Sequence, residues 1–414
     1  MNELQKFLLL KLKRILEINS NMAKENQAEK NQHRYTSSRL KHILSSIPYA
    51  FISLFAKRDK KLIVFCAMHC ETFDSNSKFL FLYFLENEPK YNVQFVINDQ
   101  QKRQQLIQEY GEHFIDTRTK EGKKIAVKAA TWIVSWLDLP LGGLFLNFRR
   151  FVLHLGHGTP LKGLGLTEKD GKLIKKLYYK LNGTNITTSL ASSDFVADII
   201  ARCMGFSKKR VLVNGQPRTD ALFLPPVDIP ELNKSNFNIL YAPTWRQHSQ
   251  VKLFPFEDFS KQELETFLVE NNIHIFIRFH PAYEESIPKD LLSLKNISLF
   301  SAKTYSEIMD YINCFDTLIT DYSSIYLDYM LLERPIIFLP YDLQEYEASV
   351  GFTMDYMENT PGPKPANFHD FLEELKKCKN PPQEYVTLLH ELNIKLNSLE
   401  KDACHSLGEI IKSK

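Results

Sequence analysis

The amino-acid sequence predicts an α/β protein whose two doubly wound halves face each other across a cleft. Three observations carry this expectation. Short apolar runs alternate with helical stretches from residue 61 to residue 218. A Pro-rich stretch, PPVDIP (225–230), then breaks the pattern. The same alternation resumes over 237–342. Strands buried on both faces read as continuous apolar runs, and parallel strands need helical crossovers. Two such series make two Rossmann-like units, which bind ligands outside the carboxyl ends of their strands.

In the first half, KLIVFCAM (61–68), YNVQFVIN (91–98), TWIVSW (131–136) and RFVLHLGHG (150–158) are expected strands. Residues 185–189 and RVLVNGQPR (210–218) continue the series, with helices expected over 77–86 and 102–110. In the second half, FNILYAPTW (237–245), IHIFIRFHP (273–281), NISLFS (296–301), DTLITDYSS (316–324) and RPIIFLPYD (334–342) are expected strands. Helices are expected over 261–271, 305–313 and 325–332, and the tail from 368 to 414 reads as helical and charged. The chain therefore divides into an arm (1–60), a first α/β domain (61–224) and a second α/β domain with a helical tail (225–414).

The length of 414 residues suits two cores, and 44% hydrophobic with 24% charged residues reads as globular. The net charge of +3 hides an asymmetry. Residues 1–61 hold 13 Lys/Arg against 5 Asp/Glu, whereas the remainder holds 39 against 44. In MNELQKFLLLKLKRILEI, residues Leu4, Phe7, Leu8, Leu12, Ile15 and Leu16 follow helical spacing with Lys and Arg between them. LKHILSSIPYAFISLFAKR supplies a second basic, apolar segment. Such an arm is expected to meet an anionic membrane surface, and no nucleic-acid partner is expected. Phe7–Leu10 is too short for a signal peptide, and Leu44–Ala56 is too short to span a bilayer, which takes ~20 apolar residues. The six cysteines are scattered without CxxC or zinc spacing. Together these features imply a cytoplasmic protein held peripherally on the inner face of the membrane.

The polar clusters fall at the ends of expected strands. The first follows RFVLHLG and contains His157, Gly158, Thr159, Pro160, Leu161 and Lys162. Gly allows a close backbone approach there, and a His past a strand end can serve as a general base. His154, inside the strand, reads as a packing residue. Arg218 follows a Gly/Pro turn, where a guanidinium can hold a phosphate. Pro243 and Thr244 close the next cluster, beside Trp245 and Arg246. Arg278, Phe279, His280 and Pro281 form another, with Arg278 and His280 expected on one strand face. The last cluster, Thr320–Ser324, leads into a helix carrying Asp328. Ser323 and Ser324 near that helix start suit an anion, and Asp328 suits a polyol or ribose hydroxyl. No Asp-x-Asp, GxxxxGK[ST] or GxGxxG pattern occurs, so metal-diphosphate carboxylates, ATP hydrolysis and NAD chemistry lack support.

Taken in order, HGTPLKG (157–163), GQPRTD (215–220), YAPTWR (241–246), RFHP (278–281), TDYSSIYLDY (320–329), RPIIF (334–338), YDLQEY (341–346) and GFTMDYMENTPGP (351–363) resemble the CDP-glycerol glycerophosphotransferase family. This chain has Gly156 where the family pattern has Trp, and Val350 where it has Arg. The resemblance implies a GT-B fold with an acceptor-side first domain, a CDP-donor-binding second domain and neither metal nor cofactor. It implies transfer of glycerol phosphate from CDP-glycerol to a lipid-linked or polysaccharide acceptor of teichoic acid or capsule. By position, His157 matches the base and His280 a second catalytic histidine. Gly158, Thr159, Pro160, Leu161, Arg218, Pro243, Thr244, Phe279, Pro281, Ser323, Ser324 and Asp328 match the donor site. CDP-ribitol and a nucleotide sugar are the alternative donors.

Overall fold

The computed structural model describes residues 46–169, 173–246, 251–398 and 401–414. The apolar, basic pattern of 1–45 lies outside the described residues. Two all-parallel sheets organise the chain. The first contains β1 (Asp59–Cys66), β2 (Asn92–Val96), β3 (Phe114–Ile115), β4 (Ala129–Val134), β5 (Phe151–His154), β6 (Thr188–Ala191) and β7 (Val211–Val213). Its strand order is β3-β2-β1-β4-β5-β6-β7. The second contains β8 (Phe237–Tyr241), β9 (Ile273–Ile277), β10 (Ile297–Leu299), β11 (Thr317–Thr320) and β12 (Ile336–Phe338), in the order β10-β9-β8-β11-β12. Both orders reverse direction next to the first strand of their sheet. Each sheet therefore has a crevice at the carboxyl ends of its central strands.

Both sheets bury two faces. In β1, Ile63 and Phe65 pack with Phe81, Phe84 and Phe95, while Val64 and Cys66 face the opposite layer. In β8, Ile239 and Tyr241 join the outer core of the second half, and Leu240 faces inward. The inward layers of both halves merge into one continuous core. Helix starts carry the expected side-chain caps: Asp99, Thr119, Ser193, Ser260 and Asn367 each accept a backbone N–H of the first turn.

Three features differ from the expectations. Strands stop short of their apolar runs, most clearly β5, which ends at His154 and leaves His157 in a loop. Residues 305–313 do not form a helix but two short 3₁₀ turns, Ile308–Asp310 and Ile312–Cys314. Local packing overrides helical propensity there. Tyr305 stacks on Phe300 at 4.3 Å, and the Asn313 amide donates to the Leu222 and Leu224 carbonyls. The α-helix after β11 covers only Ile325–Tyr329, and continues as a 3₁₀ turn over Met330–Leu332.

The tail helices divide their allegiance. Phe368–Lys377 buries Phe368, Phe371 and Leu375 in the outer core of the second half. Ala403–Lys412 returns to the first sheet, where Leu407 and Ile411 join Phe81 and Phe84. Asp220 holds the start of this last helix, accepting from the Ala403 and Cys404 N–H groups at 2.8 Å each. Replacing Asp220 with Ala removes both bonds at a helix N-terminus, at a cost of about 1–2 kcal/mol. Chemical unfolding should show that loss, and amide exchange should show residues 403–412 losing protection first.

Candidate active site between the two sheets

The loop after β5 is built around His157. Its imidazole stacks on Trp136, just past β4, with ring centroids 3.7 Å apart and planes 4° from parallel. A hydrogen bond joins the ring to the Ser135 backbone. Burial, with the Arg218 charge second, pulls its pKa down to about 4, and the Ser135 bond opposes this. The ring is therefore neutral at pH 7, and the nitrogen not used on Ser135 can accept a proton. His154 is different. It is buried, its Nδ1 lies 2.8 Å from Ser189 Oγ, and burial pushes its pKa down to about 3. It packs, as the sequence suggested.

Arg218 closes over this loop. Its Nη1 donates to the His157 carbonyl at 2.7 Å, its Nε donates to Asp328 Oδ1 at 3.3 Å, and its Nη2 pairs with Asp328 Oδ2. Asp328 is 1% exposed, and burial raises its pKa even though Arg218 pulls it down. From the sequence these two residues are expected to meet separate groups of a ligand, whereas the structure joins them to each other. Gly158 has φ 128°, and a Cβ there would sit 2.5 Å from Arg218 Nη2. Only glycine leaves room for the guanidinium.

Asn76 supports the arrangement. It donates to the Leu155 and Gly156 carbonyls at 3.3 and 3.0 Å, and accepts from Arg218 N–H at 3.0 Å. It also donates to Gln216 Oε1 at 3.1 Å. Gln216 in turn donates to Thr159 Oγ1, which lies 3.0 Å from Ser192 Oγ. The Thr159 hydroxyl is thus taken up inside the loop, and Leu161 is buried at 1% exposure. The Pro160 carbonyl accepts from Thr353 Oγ1 at 2.6 Å, and the Leu161 carbonyl accepts from Thr353 N–H at 2.9 Å. These three residues shape the loop and dock it on the second half.

The second half brings its groups to the ends of β8, β9 and β11. Thr244 N–H donates to Asp321 Oδ1 at 2.7 Å, while its hydroxyl is buried without a partner. Arg246 pairs with Asp321 at 2.9 Å and with Asp342 at 2.8 Å. Pro243, Ser323 and Ser324 are half-buried. Ser324 makes no side-chain cap bond, and Ser323 Oγ is 3.5 Å from Ile325 N. The expected full helix start is therefore a single α-turn with the hydroxyls beside it. Phe279 packs in the outer core, Pro281 begins a 3₁₀ turn, and His280 is exposed 5.9 Å from Tyr283. Arg278 does not point with His280. The strand ends at Ile277, and the guanidinium lies 5.6 Å over Phe300 and donates to the Ser306 carbonyl. It is structural.

Trp136, Asn76 and Gln216 were missed in the sequence. Trp136 and Gln216 sit at the carboxyl ends of β4 and β7, where the fold places ligands, and that position was the available signal. Asn76 gave none, because its partners are backbone groups distant in sequence. No set of three His, Cys, Asp or Glu suited to a metal ion occurs among the described residues. A Gly158→Ala variant strains a backbone with positive φ and displaces Arg218, at about 1–3 kcal/mol. Its melting temperature should fall by several degrees, and the Arg218–Asp328 pair should loosen in its crystal structure.

A model of the CDP-glycerol:poly(glycerophosphate) glycerophosphotransferase family matches residues 49–404. A teichoic acid glycerol-phosphate transferase of Staphylococcus aureus is 26% identical, with 87% of this chain and 95% of the relative aligned. The poly(glycerol phosphate) polymerases of Staphylococcus epidermidis and Bacillus subtilis are also 26% identical, but this chain spans 60% and 48% of their lengths. Among solved structures, the wall teichoic acid polymerase TagF superposes with a TM-score of 0.72 at 22% identity, over 92% of this chain and 97% of that one. A UDP-GlcNAc 2-epimerase of Neisseria meningitidis gives 0.53 at 12% identity over 85% of this chain and all (100%) of that one. These likenesses show a shared two-sheet fold. With the family model covering both sheets and the loops between them, the chain belongs to the CDP-glycerol:poly(glycerophosphate) glycerophosphotransferase family.

Proposed function

We propose that this protein transfers glycerol phosphate from CDP-glycerol to a hydroxyl of a teichoic-acid-type acceptor and releases CMP. The observation that carries the reading is a neutral imidazole, His157, stacked on Trp136, with Arg218 on its carbonyl and Asp328 of the second half on Arg218. Relatives with about the same span are glycerol-phosphate transferases.

The acceptor hydroxyl attacks the β-phosphorus of the donor. Its proton passes to the free ring nitrogen of His157 as the new P–O bond forms. The bond between the β-phosphorus and the bridging oxygen breaks, and its electron pair leaves with CMP. Positioning and charge stabilisation supply most of the acceleration in such a transfer. In this reading Arg218, the Ser323 and Ser324 hydroxyls and the exposed His280 meet the phosphate charge. Asp328 meets a polyol hydroxyl once the donor has displaced it from Arg218. Gly158 and Pro243 admit the donor closely, Thr244 offers its unpartnered hydroxyl, and Thr159, Pro160, Leu161, Phe279 and Pro281 set the walls.

Membrane-surface attachment is part of the same proposal. No helix among the described residues is long and apolar enough to cross a membrane. Residues 46–55 are helical, and Phe51 and Phe55 on that helix are 68% and 82% exposed. Gly143 packs against Ala50 of that helix, and Phe145 and Phe148 beyond it are 68% and 50% exposed. Arg149 and Lys180 are exposed nearby, and Asn147 bonds the Thr184 carbonyl at the end of the Lys180 helix. Apolar rings ringed by cations suit the boundary of an anionic bilayer.

Purified protein with CDP-glycerol and a membrane-derived acceptor should release CMP, and His157→Ala should lower that rate by about 10²–10⁴-fold. CMP release from CDP-ribitol instead, or turnover of a UDP-sugar alone, would overturn the donor assignment. Protonation of His157 removes the base, so kcat/KM should fall only as pH drops through about 4. An acid limb near the ordinary histidine value of about 6.5 would contradict that environment. Phe51→Ser with Phe55→Ser should weaken co-sedimentation with phosphatidylglycerol vesicles while leaving turnover of a soluble acceptor intact.

A further inference from the structure

Lys162 is left over by the roles assigned above. It follows Leu161 on the His157 loop, where the loop crosses to the second half. Its backbone bridges to Phe352, and the neighbouring Gly163 N–H donates to the Gly351 carbonyl at 2.9 Å. The side chain is half-buried, with its ammonium 5.7 Å over the Tyr346 ring. Among the described residues that ammonium has no hydrogen-bond or ion-pair partner. Burial pushes its pKa down to about 8, with Asp321 opposing and Arg246 reinforcing the shift.

The carboxylate whose charge reaches it, Asp321, is held by Arg246 and by two backbone N–H groups, although its Oδ2 makes no hydrogen bond. Asp321 takes Arg246 at 2.9 Å, Thr244 N–H at 2.7 Å and Tyr322 N–H at 2.6 Å. Beside it, the Thr244 hydroxyl is buried and unpartnered. Lys162 sits over Tyr346, which stacks at 4.1 Å on Tyr322 next to Asp321, and Thr244 bonds Asp321 through its N–H, so two donors without acceptors, one from each half, lie around one carboxylate. A partly buried ammonium and a buried hydroxyl both cost stability when unpaired. An anion between them would satisfy both.

We propose that Lys162, with the Thr244 hydroxyl, binds a phosphate group in the cleft and positions it beside the His157 loop. The phosphate belongs either to the donor diphosphate or to a phosphodiester of the acceptor chain. The inference rests on the proposed transfer for the names of those ligands, but not for the anion site itself. The competing account is that Lys162 only balances the charge of Arg246, Asp321 and Asp342.

The two accounts differ in what Lys162→Met does to the full chain. A phosphate site predicts a melting temperature at pH 7 that is unchanged or higher, since a poorly solvated cation is removed. It also predicts about tenfold or greater loss of affinity for CDP-glycerol by calorimetry, or an equal rise in acceptor KM, with cytidine affinity unchanged. Loss in donor affinity assigns the phosphate to the donor, and a loss confined to acceptor KM assigns it to the acceptor. Lys162→Arg keeps the charge and should restore most of either. If the unaltered chain ignores CDP-glycerol yet binds pyrophosphate, and Lys162→Met loses that binding, the donor reading fails and the anion site stands. The proposal is overturned if Lys162→Met leaves donor affinity, acceptor KM and pyrophosphate binding unchanged. It is equally overturned if Lys162→Met and Lys162→Arg both melt early and lose cytidine with everything else.

Discussion

The ion pair between Arg218 and Asp328 is the interaction on which the cleft depends. It joins a turn of the first half to a helix of the second, with Asp328 almost fully buried. A buried pair gains little net stability against an apolar contact of the same shape, but losing one partner strands the other charge at a cost of about 3–5 kcal/mol. The pair therefore fixes geometry more than it adds stability. Much of the neighbourhood follows from it. Gly158 must lack a side chain because Arg218 Nη2 occupies that space. The His157 carbonyl is held by the same guanidinium, and Asn76 fixes the Arg218 backbone from behind. The His157 loop, the arginine turn and the helix after β11 are thus one unit assembled from three distant stretches of chain.

Preorganisation explains why so much polar structure is buried here. Asn76, Gln216, Thr159 and Ser192 form a connected hydrogen-bond chain beneath the His157 loop. Each group is satisfied by another, so the chain rigidifies the loop instead of destabilising it. The imidazole is clamped from the other side by Trp136 and by the Ser135 backbone. A ring held by stacking, by one of its nitrogens and by the carbonyl of its own residue has little freedom left.

The alternation of apolar runs made the two sheets legible, because parallel strands buried on both faces leave a strong sequence signature. β8 to β12 fall inside the expected stretches, as do β2, β5 and β7 of the first sheet, while β1, β4 and β6 overlap theirs and β3 was not expected. Boundaries were less legible. The apolar run of β5 continues past His154, but the positive φ at Gly156 turns the chain out of the sheet. The stretch 305–313 has helical spacing, yet its aromatic residues gain more by stacking on Phe300 than a helix would give. The polar motifs were legible as strand-end clusters. What they do to one another was not, since nothing local in GQPRTD or in IYLDY says that Arg218 and Asp328 meet. Trp136 and Asn76 were hidden for the same reason, because each acts on groups contributed by other strands.

Charge is divided unevenly across the cleft. The first half contributes the cations Arg218 and Lys162, while the second contributes Asp328, Asp321 and the serine hydroxyls, with its own cation Arg246 paired to Asp321 and Asp342. Asp328 neutralises Arg218 from the opposite half, and the pair holds the guanidinium desolvated and oriented against the His157 carbonyl. The same guanidinium acts on the imidazole, since Arg218 is second only to burial in depressing the His157 pKa. Both causes disfavour the imidazolium, so the neutrality of the ring and the placing of the ion pair have one origin, the closeness of Arg218 to this loop.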